Sequence, residues 1–304
     1  MKEGYHRHEH SHPELSGKNL FVSIILNSLI TIAQFIGGII SGSLSLLSDA
    51  LHNFSDVVSL VISFIANRYA RKKASIDKTF GYKRAEIVAA FINAATLIIV
   101  AVLLILEAVK RFLSPQEVGT DLVILLSIFA IFGNGFSVLL LKKQSTLNMN
   151  MRSAYLHLIT DMMASVAVLI GGLLMKFYQI YWIDGLLTFG IAVYLIVMGY
   201  DLLKYSFNVL MLFTPDTIAV KQIVASVNQL PEVKGLHHVH IWQLNEEETH
   251  LEAHIDFNEN ISMSVFGVIL EKIEVLLFNE YGINHITLQP EHQKLDSKEI
   301  IVQD

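Results

Sequence analysis

The 304-residue sequence contains no cysteine, which excludes disulfides and thiolate metal ligands alike. It is also poor in charge. Asp, Glu, Lys and Arg make up only 16% of it, against roughly 25% in a soluble domain. Hydrophobic residues reach 53% and mean hydropathy is +0.50, so the chain cannot be soluble throughout. The net charge of −6 leaves no footprint for nucleic acid. The opening Met1-Lys2-Glu3 and the polar stretch behind it lack the short apolar core and small-residue cleavage site of a signal peptide, so none is expected. No His-Glu-x-x-His stretch occurs either, which speaks against an intramembrane metalloenzyme, as does a four-ligand site with no open position.

What is there is a series of long apolar runs. A bilayer core of about 30 Å takes roughly 20 residues of helix, and the sequence predicts such helices near 18–41, 43–67, 84–112, 119–141, 153–176 and 182–207. The link after the second run carries Arg68, Arg71, Lys72, Lys73, Lys78, Lys83 and Arg84, and the link after the fourth carries Lys142, Lys143 and Arg152. The positive-inside rule places both in the cytoplasm, and with them the N- and C-termini. Lys110 and Arg111 are exceptions on the outer side. Composition changes after Leu212: a helix over Pro215–Gln229, strands over His238–Leu244 and His250–Phe257, a helix over Ser262–Tyr281 capped by Gly282, and a strand over Ile283–Gln289. That order predicts an open α+β sandwich with its helices on one sheet face. The expected organisation is a His-rich tail (1–17), a six-helix membrane domain (18–212), a cytoplasmic α+β domain (213–292) and a frayed polar tail (293–304).

Two membrane runs carry the same polar element. His52 and Asp56 stand four residues apart in the second, and His157 and Asp161 repeat that spacing in the fifth. Positions i and i+4 share a helix face about 5–6 Å apart, so each pair can point at one ion. Two pairs supply two imidazoles and two carboxylates, a tetrahedral set suited to Zn²⁺ at about 2.0–2.2 Å. An Asp at the centre of a spanning helix costs about 2.5–3.5 kcal/mol, so Asp56 and Asp161 together represent roughly 5–7 kcal/mol. No Lys or Arg lies near them to neutralise the charge; a dication offsets it directly. Asp49 shares the face of His52 and is expected behind the ligands or on the ion's way in.

Histidines are also concentrated outside the membrane. His6, His8, His10 and His12 alternate along the N-terminal tail and predict weak metal capture. The C-terminal domain holds His237, His238, His240, His250, His254, His285 and His292, more than packing requires. Strand alternation puts His238 and His240 on one face with His237 on the other, and His250, Glu252 and His254 on a common face.

The stretches Ser48-Asp49-Ala50-Leu51-His52 through Asp56, Phe80-Gly81-Tyr82-Lys83-Arg84-Ala85-Glu86, His157 through Asp161, and His238-Val239-His240-Ile241-Trp242 together resemble the cation diffusion facilitator family of metal–proton antiporters, in its zinc-, cadmium- and cobalt-handling branch. The resemblance covers nearly the whole chain. It implies a homodimer with a ferredoxin-like cytoplasmic domain and one transport site per protomer, formed by His52, Asp56, His157 and Asp161. In the cytoplasmic domain it implies a second site at His237 and His254, with His285 or Glu291 as the third ligand. A loop site found in some members needs a His where Tyr82 stands, and is not expected. The implied function is export of Zn²⁺, with Cd²⁺ or Co²⁺ as further candidates, in exchange for protons across a bacterial inner membrane. Zn²⁺ would be substrate and regulatory ligand, with no catalytic cofactor. The competing readings are a membrane-bound metal sensor without transport, and the same fold carrying Mn²⁺ or Fe²⁺, which favour more oxygen ligands.

Overall fold

The computed structural model of the protein describes residues 18–70, 72–142 and 149–302. The tail with His6, His8, His10 and His12 lies outside them. Six long helices come first: α1 (Lys18–Ser41), α2 (Leu44–Ala70), α3 (Ala85–Leu113), α4 (Thr120–Leu141), α5 (Met149–Tyr178) and α6 (Trp182–Leu210). They are followed by α7 (Val220–Val227), β1 (Val233–Gln243), β2 (Thr249–Phe257), α8 (Met263–Tyr281) and β3 (His285–Glu291). Two compact units result. One runs to Val58 and resumes over Thr96–Met198; the other comprises Ser59–Ala95 and Gly199–Asp304. The ends of α2, α3 and α6 that precede or follow the basic loop and the polar domain therefore group with that domain.

Among the described residues, five helices are long and apolar enough to cross a bilayer: α1, α3, α4, α5 and α6. The remaining long helix, α2, has 27 residues and carries Asp49, His52, Asn53 and Asp56 within its apolar sequence. The helices leave large side chains uncovered, among them Ile40, Leu103, Phe132 and Leu139, with Phe132 74% exposed. Such a surface is incompatible with water and matches lipid tails. Where helices meet, small residues let them approach. A Cβ on Gly185 of α6 would lie 3.0 Å from the Ala108 carbonyl oxygen on α3, so that crossing requires glycine.

One buried carboxylate ties the ends of three helices together. Asp184, fully buried near the start of α6, accepts from the Ser43 and Ser45 hydroxyls at 2.7 Å each and from the Leu44 and Ser45 amides at 2.8 and 3.2 Å. It therefore caps the N-terminus of α2, where unpaired amides and the helix dipole favour an anion. Arg111 of α3 donates to the Gly42 carbonyl at 3.0 Å and stands 4.0 Å from Asp184. Arg111, one of the two exceptions to the expected positive-inside pattern, is thus buried against its counter-charge. Lys110 pairs with Glu107 at 3.0 Å.

In the C-terminal domain β1 pairs antiparallel with β2, and β2 pairs parallel with β3 through the α8 crossover. Leu251, Ala253, Ile255 and Phe257 of β2 pack with Ile223 and Val227 of α7 and with Phe266, Ile269, Ile273 and Leu277 of α8. Both helices thus cover one sheet face, as alternation in β2 requires. Gly282 closes α8 in the left-handed conformation at φ +69. Helix α7 is shorter than the apolar spacing predicts, and β1 begins at Val233, ahead of the expected His238. The expected fraying from Gln293 is corrected. The His238 and Val239 amides donate to the Glu299 and Ile300 carbonyls at 3.1 and 2.8 Å, and Ile300 packs on the domain core.

Candidate metal centre

The two i, i+4 pairs meet. His52 and Asp56 project from α2, His157 and Asp161 from α5, and the pairs interlock crosswise. His52 Nε2 lies 3.7 Å from Asp161 Oδ1, and His157 Nε2 lies 3.2 Å from Asp56 Oδ2. Within each helix the His–Asp separations are 3.7 Å (His52 Nδ1 to Asp56) and 3.6 Å (His157 to Asp161). Donors about 2.1 Å from a tetrahedral ion stand about 3.4 Å from one another. His157 Nε2 keeps close to that spacing with both carboxylates, whereas His52 meets Asp56 through Nδ1 and Asp161 through Nε2 and can turn only one of the two nitrogens to a single ion. Atoms of His52, His157 and Asp161 lie within 4.8 Å of one another, a group that does not take in Asp56.

The electrostatics point the same way. Among the described residues, both ring nitrogens of His52 and both carboxylate oxygens of Asp161 are buried without a hydrogen-bond partner. Unpaired buried polar atoms cost about 1–3 kcal/mol each, and a cation shared among them removes that cost. Exposure is uneven. Asp161 and His52 are buried, while the side chains of His157 and Asp56 are 37% and 33% exposed, so the site is open along one edge. Tyr194 of α6 stands edge-on to His52 at 6.1 Å between ring centroids.

Asp49 takes a different place. Its Oδ2 accepts from Gln34 of α1 at 2.7 Å and from Ser165 of α5 at 3.3 Å. It braces α2 against two neighbours one helical turn from His52. Neither Gln34 nor Ser165 stands out in the sequence, since a lone polar residue in an apolar run has no spacing to mark it.

A second cluster lies on the helix-free face of the C-terminal sheet. His237 Nε2 is 3.3 Å from Glu291 Oε2, and His254 Nδ1 is 3.0 Å from Glu291 Oε1. Atoms of His237, His254, Glu291 and Asp296 all lie within 4.8 Å of one another. His285 does not join them. It starts β3 opposite His250, with 4.3 Å between ring centroids, and Glu291 ends β3 about 20 Å away. The cluster depends on an irregularity in β1. His238 has φ +48 and the register shifts between His237 and His240, so His237 and His238 both approach the His254 ring, at 5.5 and 4.6 Å, instead of facing apart. Burial pushes the His254 imidazole below its usual pKa, outweighing the pull of Glu291, so the ring is neutral at pH 7 with a lone pair to offer. Burial opposes the charge on Glu291, but hydrogen bonds from Lys294 and Lys298 prevail and bring its pKa to about 2. The sequence gives no signal for Asp256, Lys294, Asp296 or Lys298 as members of this cluster.

At the other end of the sheet, the loop before α3 touches the domain. Lys83 pairs with Glu248 at 2.6 Å, Phe80 meets the His250 ring edge-on at 5.9 Å, and Trp242 stacks on His250 at 5.4 Å.

Comparison with known proteins covers both the helical and the C-terminal parts of the chain. The family described as cation efflux transmembrane domain matches residues 20–211, and that described as cation efflux protein, cytoplasmic domain, matches residues 215–293. Among similar proteins, a cadmium, cobalt and zinc/H(+)-K(+) antiporter of Bacillus velezensis is 38% identical, covering 93% of this chain and 91% of its own. Zinc transporter ZitB of Pectobacterium atrosepticum is 33% identical over 95% of this chain and 90% of its own. Metal cation efflux system protein CzcD of Cupriavidus metallidurans is 31% identical over 93% and 89%.

Proposed function

The chain belongs to the cation efflux family of integral membrane transporters, and on that premise we propose that it exports Zn²⁺ from the cytoplasm in exchange for protons. The observation that carries this reading is the crosswise meeting of the two His–Asp pairs at 3.2–3.7 Å. His52, Asp56, His157 and Asp161 are the transport ligands. Nitrogen and carboxylate donors without sulfur suit Zn²⁺, and admit Cd²⁺ and Co²⁺. The named substrates of the Bacillus and Pectobacterium relatives support the same set of ions.

All six long helices cross the bilayer in this reading, α2 included, because the polar residues that lower its apolarity face the ion or its braces. The basic loops put both termini in the cytoplasm, and the bacterial relatives favour the inner membrane. The C-terminal domain, read as an open ferredoxin-like fold, joins two protomers and holds a regulatory metal at His237, His254 and Glu291. Histidines bind metal only when neutral, so loading from the cytoplasm releases protons and returning protons release the ion. Alternating exposure of the site converts that exchange into antiport.

The test is Zn²⁺ uptake into proteoliposomes under a pH gradient, with wild type beside Asp56→Ala. Gradient-driven flux that disappears in the variant is the expected result. Metal binding without flux in the wild type would replace transport by sensing. The name of the Bacillus velezensis relative includes K⁺, so a K⁺ gradient imposed at constant pH tests whether K⁺ also exchanges for the metal.

A further inference from the structure

We infer that the C-terminal segment from His292 to Ile300 is part of the cytoplasmic metal site, with Asp296 as its fourth ligand and the Lys298 ammonium as a tethered cation that the metal must displace. The inference rests on the reading of that domain as a regulatory metal site. It concerns a segment that the sequence marks only as a polar tail.

Geometry places the ammonium among the metal donors. Lys298 Nζ stands 3.0 Å from Glu291 Oε2, 3.2 Å from His237 Nε2, 3.1 Å from Asp256 Oδ2 and 2.5 Å from Asp296 Oδ1. An ammonium has three protons to donate and no lone pair, and these are the acceptors of a cation site. Lys294 adds a second positive charge, 2.5 Å from Glu291 Oε1 and 3.1 Å from Asp296 Oδ2. Partial burial works against the charge on Lys298, but hydrogen bonds to Asp296, Glu291 and Asp256 outweigh it and hold the ammonium firmly protonated.

The segment is fastened where this requires. Its backbone joins β1 at the irregular stretch, through the His238 and Val239 amides. The same irregularity that brings His237 to His254 therefore receives the segment that delivers Asp296 and Lys298. A dication about 2.1 Å from Glu291 and His237 cannot coexist with an ammonium about 3 Å from the same atoms, since like charges at that range repel strongly. The lysine side chain must swing out, while Asp296 has its carboxylate in reach of the ion. The site is consequently weaker than its donors alone would make it, and fills only when metal is abundant enough to displace a covalently tethered competitor.

The full chain in detergent, carrying Asp161→Ala to silence the transport site, is titrated with Zn²⁺ against a chromophoric chelator. The component abolished by His254→Ala is the one compared. Lys298→Met is expected to tighten it at least tenfold, and Asp296→Asn to weaken it by a similar factor. In parallel, acylation of Lys298 by an amine-reactive ester, read by peptide mass spectrometry on the otherwise unaltered chain, is expected to accelerate several-fold at saturating Zn²⁺. Unchanged or weaker binding in Lys298→Met, or a Lys298 acylation rate indifferent to Zn²⁺, overturns the inference. So does the absence of any component sensitive to His254→Ala, which removes the cytoplasmic site as well but leaves gradient-driven transport standing.

Discussion

Replacing Asp161 by asparagine separates the energetics of folding from those of metal binding, because the two are expected to move in opposite directions. The Asp161 side chain is 1% exposed and neither of its carboxylate oxygens has a hydrogen-bond partner among the described residues. Burying an unpaired carboxylate costs more than burying the neutral amide in its place, by on the order of 1–3 kcal/mol, so the amide, equal in size, should make the protein more stable when a chelator removes metal. At about 2–4 °C per kcal/mol for a chain of this order of size, the unfolding midpoint rises by several degrees. Zn²⁺ at 100 times its Kd stabilises the wild type by about 2.7 kcal/mol, a further shift of about 5–10 °C. The variant loses that shift with its ligand. The assay is scanning fluorimetry in detergent, with and without Zn²⁺, in a His254→Ala background that removes the cytoplasmic site. A variant that melts lower than the wild type in chelator, yet still gains stability from Zn²⁺, would mean that Asp161 serves packing and not the ion.

Other perturbations test the scaffold. Asp184→Ala leaves Arg111 buried without its counter-charge and α2 without its cap, and should lower stability by about 3–5 kcal/mol; adding Arg111→Met should recover most of the loss, as a denaturant titration would report. Gly282→Ala forces a side chain into the left-handed region at φ +69 and should cost the C-terminal domain about 1 kcal/mol, read from urea unfolding by Trp242 fluorescence. Lys83→Met removes an ion pair whose side chains are 40% and 31% exposed, so stability should change by less than about 1 kcal/mol; a larger drop in the same titration would show that the pair holds the loop against the domain. Acid should weaken the lysine–carboxylate cluster: the Glu291 pKa falls on folding from 4.5 to about 2, so its contribution is complete above pH 4.5 and is lost as the pH drops toward 2. Trp242 fluorescence against pH should show that transition in the chain and a smaller one in Lys298→Met.

The long helices were legible because a bilayer imposes a length on an apolar run, and α1 to α6 begin and end within a few residues of that pattern. The His–Asp pairs were legible because helical spacing alone puts both members on one face. Their meeting was not, since nothing in either helix states the depth of the other. The C-terminal cluster was only half legible. Strand alternation sets His237 apart from His238, and the left-handed residue at His238 undoes it; histidine tolerates that conformation and gives no warning of it. His285 looked close by position in sequence, yet parallel pairing places it against His250 and brings Glu291 beside Asp256. The docking of the final segment depends on backbone hydrogen bonds, which carry no side-chain signature. Asp184 has partners about 140 residues away, and appears in the sequence only as an acid in the first turn of a helix.

The crosswise pairing at the membrane cluster has a kinetic consequence. It forms two rungs, His52 with Asp161 and His157 with Asp56, one buried and one at the open edge, and each rung takes one residue from each helix. In the proposed transport reading, an ion arriving at the exposed rung would meet one nitrogen and one oxygen while it still carries part of its water. It can then exchange the remaining waters for the inner rung one at a time, so complete dehydration never precedes coordination. Departure by sliding α2 along α5 strains both rungs together, because each bridges the two helices. The proposed transport would then have its release barrier set by helix motion rather than by the strength of any single ligand.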